Sequence, residues 1–251
     1  MRRAAHTIAT GPEDDGAFRA LYDLASIAAD HPEVRVIGGH MVGLLAAAFP
    51  SPGLVARRTG DADAGLPLTL ADDGSIHASL VRAGYNAIKG NRYVHDQRVI
   101  DVLVPTLNGR FGDTIRAGRA YDAMPGLHLA LGAPIVIDAN LTLTDGTVLE
   151  CAVPVPTVEN AVVLKAYAWR DRWVRTVKDT VDLSNLLHIV DAHGRDEIGG
   201  WRLDEGGLQG ARGDAVRILH QMIPPIRAGS ATPPALDRRK LEVLIRRWAR
   251  E

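Results

Sequence analysis

The chain has 251 residues, 46% of them hydrophobic and 24% charged, a composition that builds a packed core and excludes a disordered chain. A formal net charge of −1 excludes a globally basic nucleic-acid coat, so a nucleic acid would have to meet a local patch. The single cysteine, Cys151, excludes an internal disulfide and a cysteine-based zinc site and reads as a small core hydrophobe.

The opening "MRRAAHTIATGPEDDG" has no apolar run behind its arginines, so it does not read as a secretory signal. The longest apolar stretch, "MVGLLAAAF", is far too short to cross a bilayer. A cytoplasmic protein with no membrane partner is expected. In residues 14–29, Phe18, Leu21, Tyr22, Ala25 and Ala28 fall at helical spacing. A short strand, Val34–Ile37, is stopped by Gly38-Gly39, and "HMVGLLAAAF" follows as a buried helix closed by "PSPG". A strand is expected over roughly 54–64 and a helix over 75–89, with Ile76, Leu80, Ala83 and Ala87 on one side. "RYVHDQRVIDVLVP" reads as two strands about a tight "HDQ" turn, and "GLHLAL" and "APIVIDANLTL" as further strands. "LTDGTV" supplies a hairpin signal.

After "VPVPTVEN" the period becomes helical, in "TVENAVVLKAYAWRDRW", "KDTVDLSNLLHIVDAH", "DAVRILHQMI" and "LDRRKLEVLIRRWARE". "IPPIRAGSATPP" reads as a loop. The expected architecture is α+β: a mixed β-sheet core over 1–156, then a helical domain over 157–251.

The chemistry begins in "VARRTGDADAGL". In a strand, residues two apart share a face, so Asp61 and Asp63 would stand side by side. Two carboxylates that close repel, and a hard divalent cation such as Mg²⁺ relieves them. Asp101 interrupts the apolar run "VIDVLV", which reads as a central strand buried on both faces, and a lone carboxylate there needs a partner. Were its strand beside the first, three acids would converge, enough for two metal ions and a phosphoryl displacement. Gly38-Gly39 lies between a strand and a helix, where bare amides and the helix end suit an anion. Lys165 stands amid apolar residues, ahead of Arg170, Arg172, Arg175 and Lys178. Asp179 and Asp182 share one helix face. Each feature has a plainer reading: a strand's polar face or a turn for the aspartate pair, a cap on a neighbouring backbone amide for Asp101, an ordinary glycine turn, a snorkelling core lysine, a solvated salt-bridged face. His40 is either a phosphate donor or a packing residue at the helix start. The arginine-rich last helix is either a nucleic-acid contact or a solvated face.

Together, "GGH…RRTGDAD…VIDVLVP…LKAYAWR…KDTVDL" resembles the AbiEii-type nucleotidyltransferases, toxins of type IV toxin–antitoxin systems within the DNA polymerase β-like superfamily. The likeness covers roughly residues 34–187, and Arg57, Thr59, Asp61 and Asp63 carry its most specific part. It implies that Asp61, Asp63 and Asp101 are catalytic and hold two Mg²⁺, and that Gly38, Gly39, Arg57, Thr59 and Lys165 bind the NTP. It also implies that Asp179 or Asp182 is a catalytic helix acid. His40 stands where the superfamily usually has a hydroxyl residue. The implied reaction moves NMP to an acceptor hydroxyl, the 3′ end of a tRNA among the acceptors, with a cognate antitoxin as partner. An inactive nucleotide-binding regulator and a small-molecule nucleotidyltransferase are the alternatives.

Overall fold

The computed structural model describes residues 1–230 and 232–251, and helices and mixed sheets make it an α+β fold. In chain order the first elements are β1 (Arg2–Ile8), α1 (Pro12–Asp30), β2 (Arg35–Ile37), α2 (Gly38–Ala48) and β3 (Ala62–Gly65). Then come α3 (Leu68–Asp73), α4 (Ser75–Arg82), β4 (Asn86–Lys89), β5 (Arg92–His95) and β6 (Arg98–Thr106). They are followed by β7 (Gly112–Arg116), β8 (Arg119–Pro125), α5 (Leu127–Ala130), β9 (Ile135–Thr142) and β10 (Val148–Val155). The helical region has α6 (Val158–Arg172), α7 (Lys178–Glu197), α8 (Gly210–Gln221), α9 (Ile223–Ala228) and α10 (Arg238–Trp248).

The main sheet runs β2-β3-β6-β5-β4, with β8 also on β6 and β7 on β8. It is mixed: β3 and β8 are parallel to β6, while β2–β3, β4–β5, β5–β6 and β7–β8 are antiparallel. A smaller sheet, β1-β9-β10, holds β1 parallel to β9. One apolar cluster runs through both sheets and the helical region, from Leu21 and Ile100 to Leu183 and Ile245. The change at 156/157 is thus one of secondary structure, across a shared core. No helix among the described residues is long and apolar enough to cross a membrane.

Several elements depart from expectation. The aspartate strand is only Ala62–Gly65, and residues 54–59 run as an irregular segment. The helix expected over 75–89 stops at Arg82. Gly84 takes φ +89°, Tyr85 is buried, and Asn86–Lys89 form an exposed edge strand. "GLHLAL" forms the short helix α5 after the left-handed Gly126, burying Leu127 and Ala130, three apart. Part of "IPPIRAGSATPP" is α9, whose prolines sit in its first turn, where a missing N–H costs nothing. On α10, Arg246 pairs with Glu242, and Lys240 and Arg247 pair with Asp191, so much of its basic face is neutralised within the fold.

Strand β6 is buried on one face only: Ile100, Val102 and Val104 enter the core while Asp101 and Leu103 face outward. Ile100→Ala opens a core cavity directly behind Asp101 and is expected to cost about 2–5 kcal/mol in urea unfolding. A loss below about 1 kcal/mol would mean this strand is not anchored as described.

Candidate active site

The register of the main sheet sets one row of side chains. Asp63 on β3 is the parallel partner of Asp101 on β6, and Asp101 is the antiparallel partner of Arg92 on β5. Cross-strand partners face the same side of a sheet, so two acids and a guanidinium stand abreast. Asp61 lies two residues before Asp63, just ahead of the strand, and Thr59 Oγ1 donates to its Oδ1 at 3.1 Å. Asp61, Asp63 and Asp101 each offer an oxygen within 4.8 Å of the others, an arrangement able to hold a metal ion.

Convergence has an electrostatic cost. Burial, with Asp61 and Asp101 beside it, pushes the Asp63 carboxyl up to about 7, against the pull of Lys165 and Arg172. Asp101 is offset differently: Arg92 Nε and Nη2 fork onto its two oxygens at 2.8 and 2.6 Å. This supplies the partner that the sequence demanded but did not name.

Above the acids stands the start of α2. Gly38 has φ +69°, and a Cβ there would collide with the Asp63 carboxylate. A Cβ on Gly39 would come within 2.6 Å of Thr59 Oγ1 and would also strike the Arg57 guanidinium. Both positions need glycine because the acid strand and the segment before it press onto the helix start. Both also line the cleft, a space of about 720 Å³ that suits a small-molecule substrate.

Arg57, Lys165, Arg172 and Lys178 bring cations to the same cleft, with Asp171 beside Arg172. Three of these cations are held from behind by two fully buried carboxylates. Lys165 Nζ lies 2.7 Å from Asp182 Oδ2 and 3.5 Å from Asp179 Oδ1, and Arg57 Nε lies 3.1 Å from Asp182 Oδ1. Arg172 forks onto Asp179 at 2.6 and 2.9 Å. Burial alone would push the Asp179 carboxyl up, but Arg172, Lys165 and Arg57 outweigh it and hold it below the usual carboxylate range. Neither Asp179 nor Asp182 lines the cleft. Asp179 and Asp182, the two candidates for the helix acid that the resemblance implies, thus stand off the cleft and pair with its cations.

The structure therefore brings together Asp61, Asp63, Asp101, Gly38, Gly39, Arg57, Thr59 and Lys165 around one cleft. Of its two readings, His40 takes that of a packing residue at the helix start. Its ring is buried against Phe18 and lines a second cavity, of about 570 Å³, beyond the 54–59 segment. Burial pushes its pKa down to about 4, so it is neutral at physiological pH and offers no cation to a phosphate. Arg92, Asp113 and Asp122 line the cleft without having been singled out. Arg92 was within reach of sequence reasoning: a turn at Asp96-Gln97 pairs His95 with Arg98, and counting back puts Arg92 opposite Asp101. Asp122 and Asp113 lie on β8 and β7, which carried no strand expectation.

No family model matches the chain. No curated protein matches it.

The raised Asp63 pKa fixes a sign. Between about 4 and 7 the folded chain keeps a proton that the unfolded chain has released, so metal-free stability falls as pH rises through that window. A bound cation must expel this proton. Mn²⁺ affinity is therefore expected to rise with pH up to about 7 and then level off, in titrations followed by electron paramagnetic resonance. Asp63→Asn is expected to raise the melting temperature at pH 8 in EDTA and to abolish that Mn²⁺ binding. An affinity flat from pH 5.5 to 8 would contradict this electrostatic account.

Proposed function

We propose that this protein is a divalent-metal-dependent nucleotidyltransferase that moves a nucleoside monophosphate from an NTP to an acceptor hydroxyl. One observation carries the reading: three carboxylates meet at one point of a cleft that anchored cations, Arg57, Lys165 and Arg172, also line. Acids that close favour a hard, oxygen-loving cation, and Mg²⁺ fits the all-carboxylate donor set. Asp61, Asp63 and Asp101 would hold it, in the two-ion arrangement that the resemblance implies. When bound, Mg²⁺ would supply charge neutralisation and a lowered acceptor pKa.

The chain's own residues do the rest. Amides at Gly38 and Gly39 and the positive end of α2 receive phosphate oxygens. Lys165, Arg57 and Arg172 stabilise charge gathering on the leaving pyrophosphate, and their carboxylate anchors spare them reorganisation during reaction. The acceptor oxygen bonds to the α-phosphorus as the bond to the β-phosphate oxygen breaks, with pyrophosphate leaving in line. The acceptor proton passes to Asp101, whose Arg92 partner sets the carboxylate's orientation.

The likeness to AbiEii-type enzymes supports a toxin role with the 3′ end of a tRNA as acceptor and a cognate antitoxin. A second reading, transfer to a small polar acceptor, is favoured by Asp113 and Asp122. These cross-strand partners add two carboxylates to the cleft, where they would repel a phosphate backbone. An inactive nucleotide-binding regulator is disfavoured by the intact triad.

Incubation with labelled NTPs, Mg²⁺ and either total RNA or a panel of amino-alcohol and aminosugar acceptors separates these readings. Label on RNA, lost in Asp63→Ala, supports the toxin reading, and label on a small acceptor supports the second. NTP binding without transfer in both arms would overturn the enzyme. Lys165→Met is expected to raise KM for the NTP and to lower kcat by about 10²–10³, the scale for removing one group that stabilises developing charge. An unchanged kcat would remove Lys165 from the transition state.

A further inference from the structure

The segment from Pro50 to Gly60 contains no helix or strand, yet it delivers Arg57, Thr59 and then Asp61 to the cleft. Its contacts with α7 follow a regular order. His193 Nε2 meets the Pro50 carbonyl at 3.2 Å. The His188 ring abuts Gly53, where an added Cβ would lie 2.7 Å from Nε2. The Asn185 side chain bonds Val55 twice, accepting from its N–H at 2.9 Å and donating to its carbonyl at 2.9 Å. Asp182 reaches Arg57 at 3.1 Å. As the segment advances from 50 to 57, its partners step back along α7 from 193 to 182. The helix grips the segment along its length, antiparallel to it.

We propose that Asn185 is a positioning residue for the metal site, setting the register of the 50–60 segment and so the place where Asp61 arrives. The proposal rests on reading Asp61, Asp63 and Asp101 as that site. Asn185 is 3% exposed, and a carboxamide carries both the donor and the acceptor that a strand neighbour would have offered Val55. Leucine fills a similar volume but leaves both Val55 groups unpaired, and aspartate loses the donor and turns charge toward the carbonyl. Five residues lie between Val55 and Asp61, and no ladder among them would correct a slip. Outer-shell residues of this kind change metal affinity because the ligands they place must meet within tenths of an ångström.

The test compares Asn185→Leu and Asn185→Asp with wild type and with Asn160→Leu. Asn160 is another side-chain clamp on backbone, donating to the Leu129 carbonyl at 2.9 Å, outside the cleft. Amide hydrogen exchange over residues 55–61 is expected to quicken at least about tenfold in both Asn185 variants and not in Asn160→Leu. Mn²⁺ affinity should fall about 10–100-fold in the Asn185 variants alone. Transfer activity should return to near the wild-type kcat at saturating Mn²⁺, which simple loss of folded protein would not allow. Should Asn185→Leu fail to fold, Asn185→Asp carries the comparison. Unchanged exchange over 55–61, or equal Mn²⁺ loss in Asn160→Leu, overturns the proposal. If wild type binds no Mn²⁺, the metal-site reading fails, while exchange still decides whether Asn185 registers the segment.

Discussion

Three carboxylates held within a few ångströms of one another are the constraint on which the rest of this molecule depends. Left alone they repel, and the fold answers with three separate devices. Arg92 takes both oxygens of Asp101. Asp63 retains a proton to nearly neutral pH, and Thr59 donates to Asp61. The parallel pairing of β3 with β6 sets Asp63 beside Asp101, because partnered residues in a twisted sheet have no way to face apart. A cation is the one addition that relieves all three acids at once.

The cluster of cations in the cleft is built on the same logic with the signs reversed. Lys165, Arg57 and Arg172 would be costly to crowd together near a buried surface without counter-charge. Asp179 and Asp182, fully buried on α7, supply it from the far side and so leave the cations facing the cleft. The cleft gathers both signs, with Asp63 and Asp101 on the sheet and Lys165 and Arg172 on α6. A polyphosphate with its metal ions matches that set of charges, and this match, rather than any single residue, favours the proposed chemistry. The cations lean on α7, which also steadies the irregular segment that carries Arg57 and leads into Asp61. The helical region is therefore part of the site as well as its support.

Some departures from the sequence reading share a cause. Four-to-six-residue apolar patterns fit a strand or a helical turn equally well, and tertiary packing chose. "GLHLAL" became a turn of helix because Leu127 and Ala130 face the core from residues three apart. The 75–89 pattern broke because Gly84 lies in the left-handed region, after which an edge strand with no buried face leaves no period to read. β7 is mostly exposed, with no run of buried alternation to announce it. Asp113 and Asp122 went unnoticed because β7 and β8 did.

The sequence by itself determined the α+β class, the long helices and the "HDQ" hairpin, and it singled out Asp61, Asp63 and Asp101 and the Gly38-Gly39 pair. Those rest on local rules: hydrophobic period, turn chemistry, and the cost of an unpartnered carboxylate in an apolar run. Only the tertiary structure decided that Asp179 and Asp182 anchor cations behind the cleft, that His40 turns into another cavity, and that an irregular segment delivers Asp61. Each of these depends on contacts between residues far apart in the chain, such as Arg57 with Asp182 and Val55 with Asn185, and no local pattern encodes which distant partners will meet.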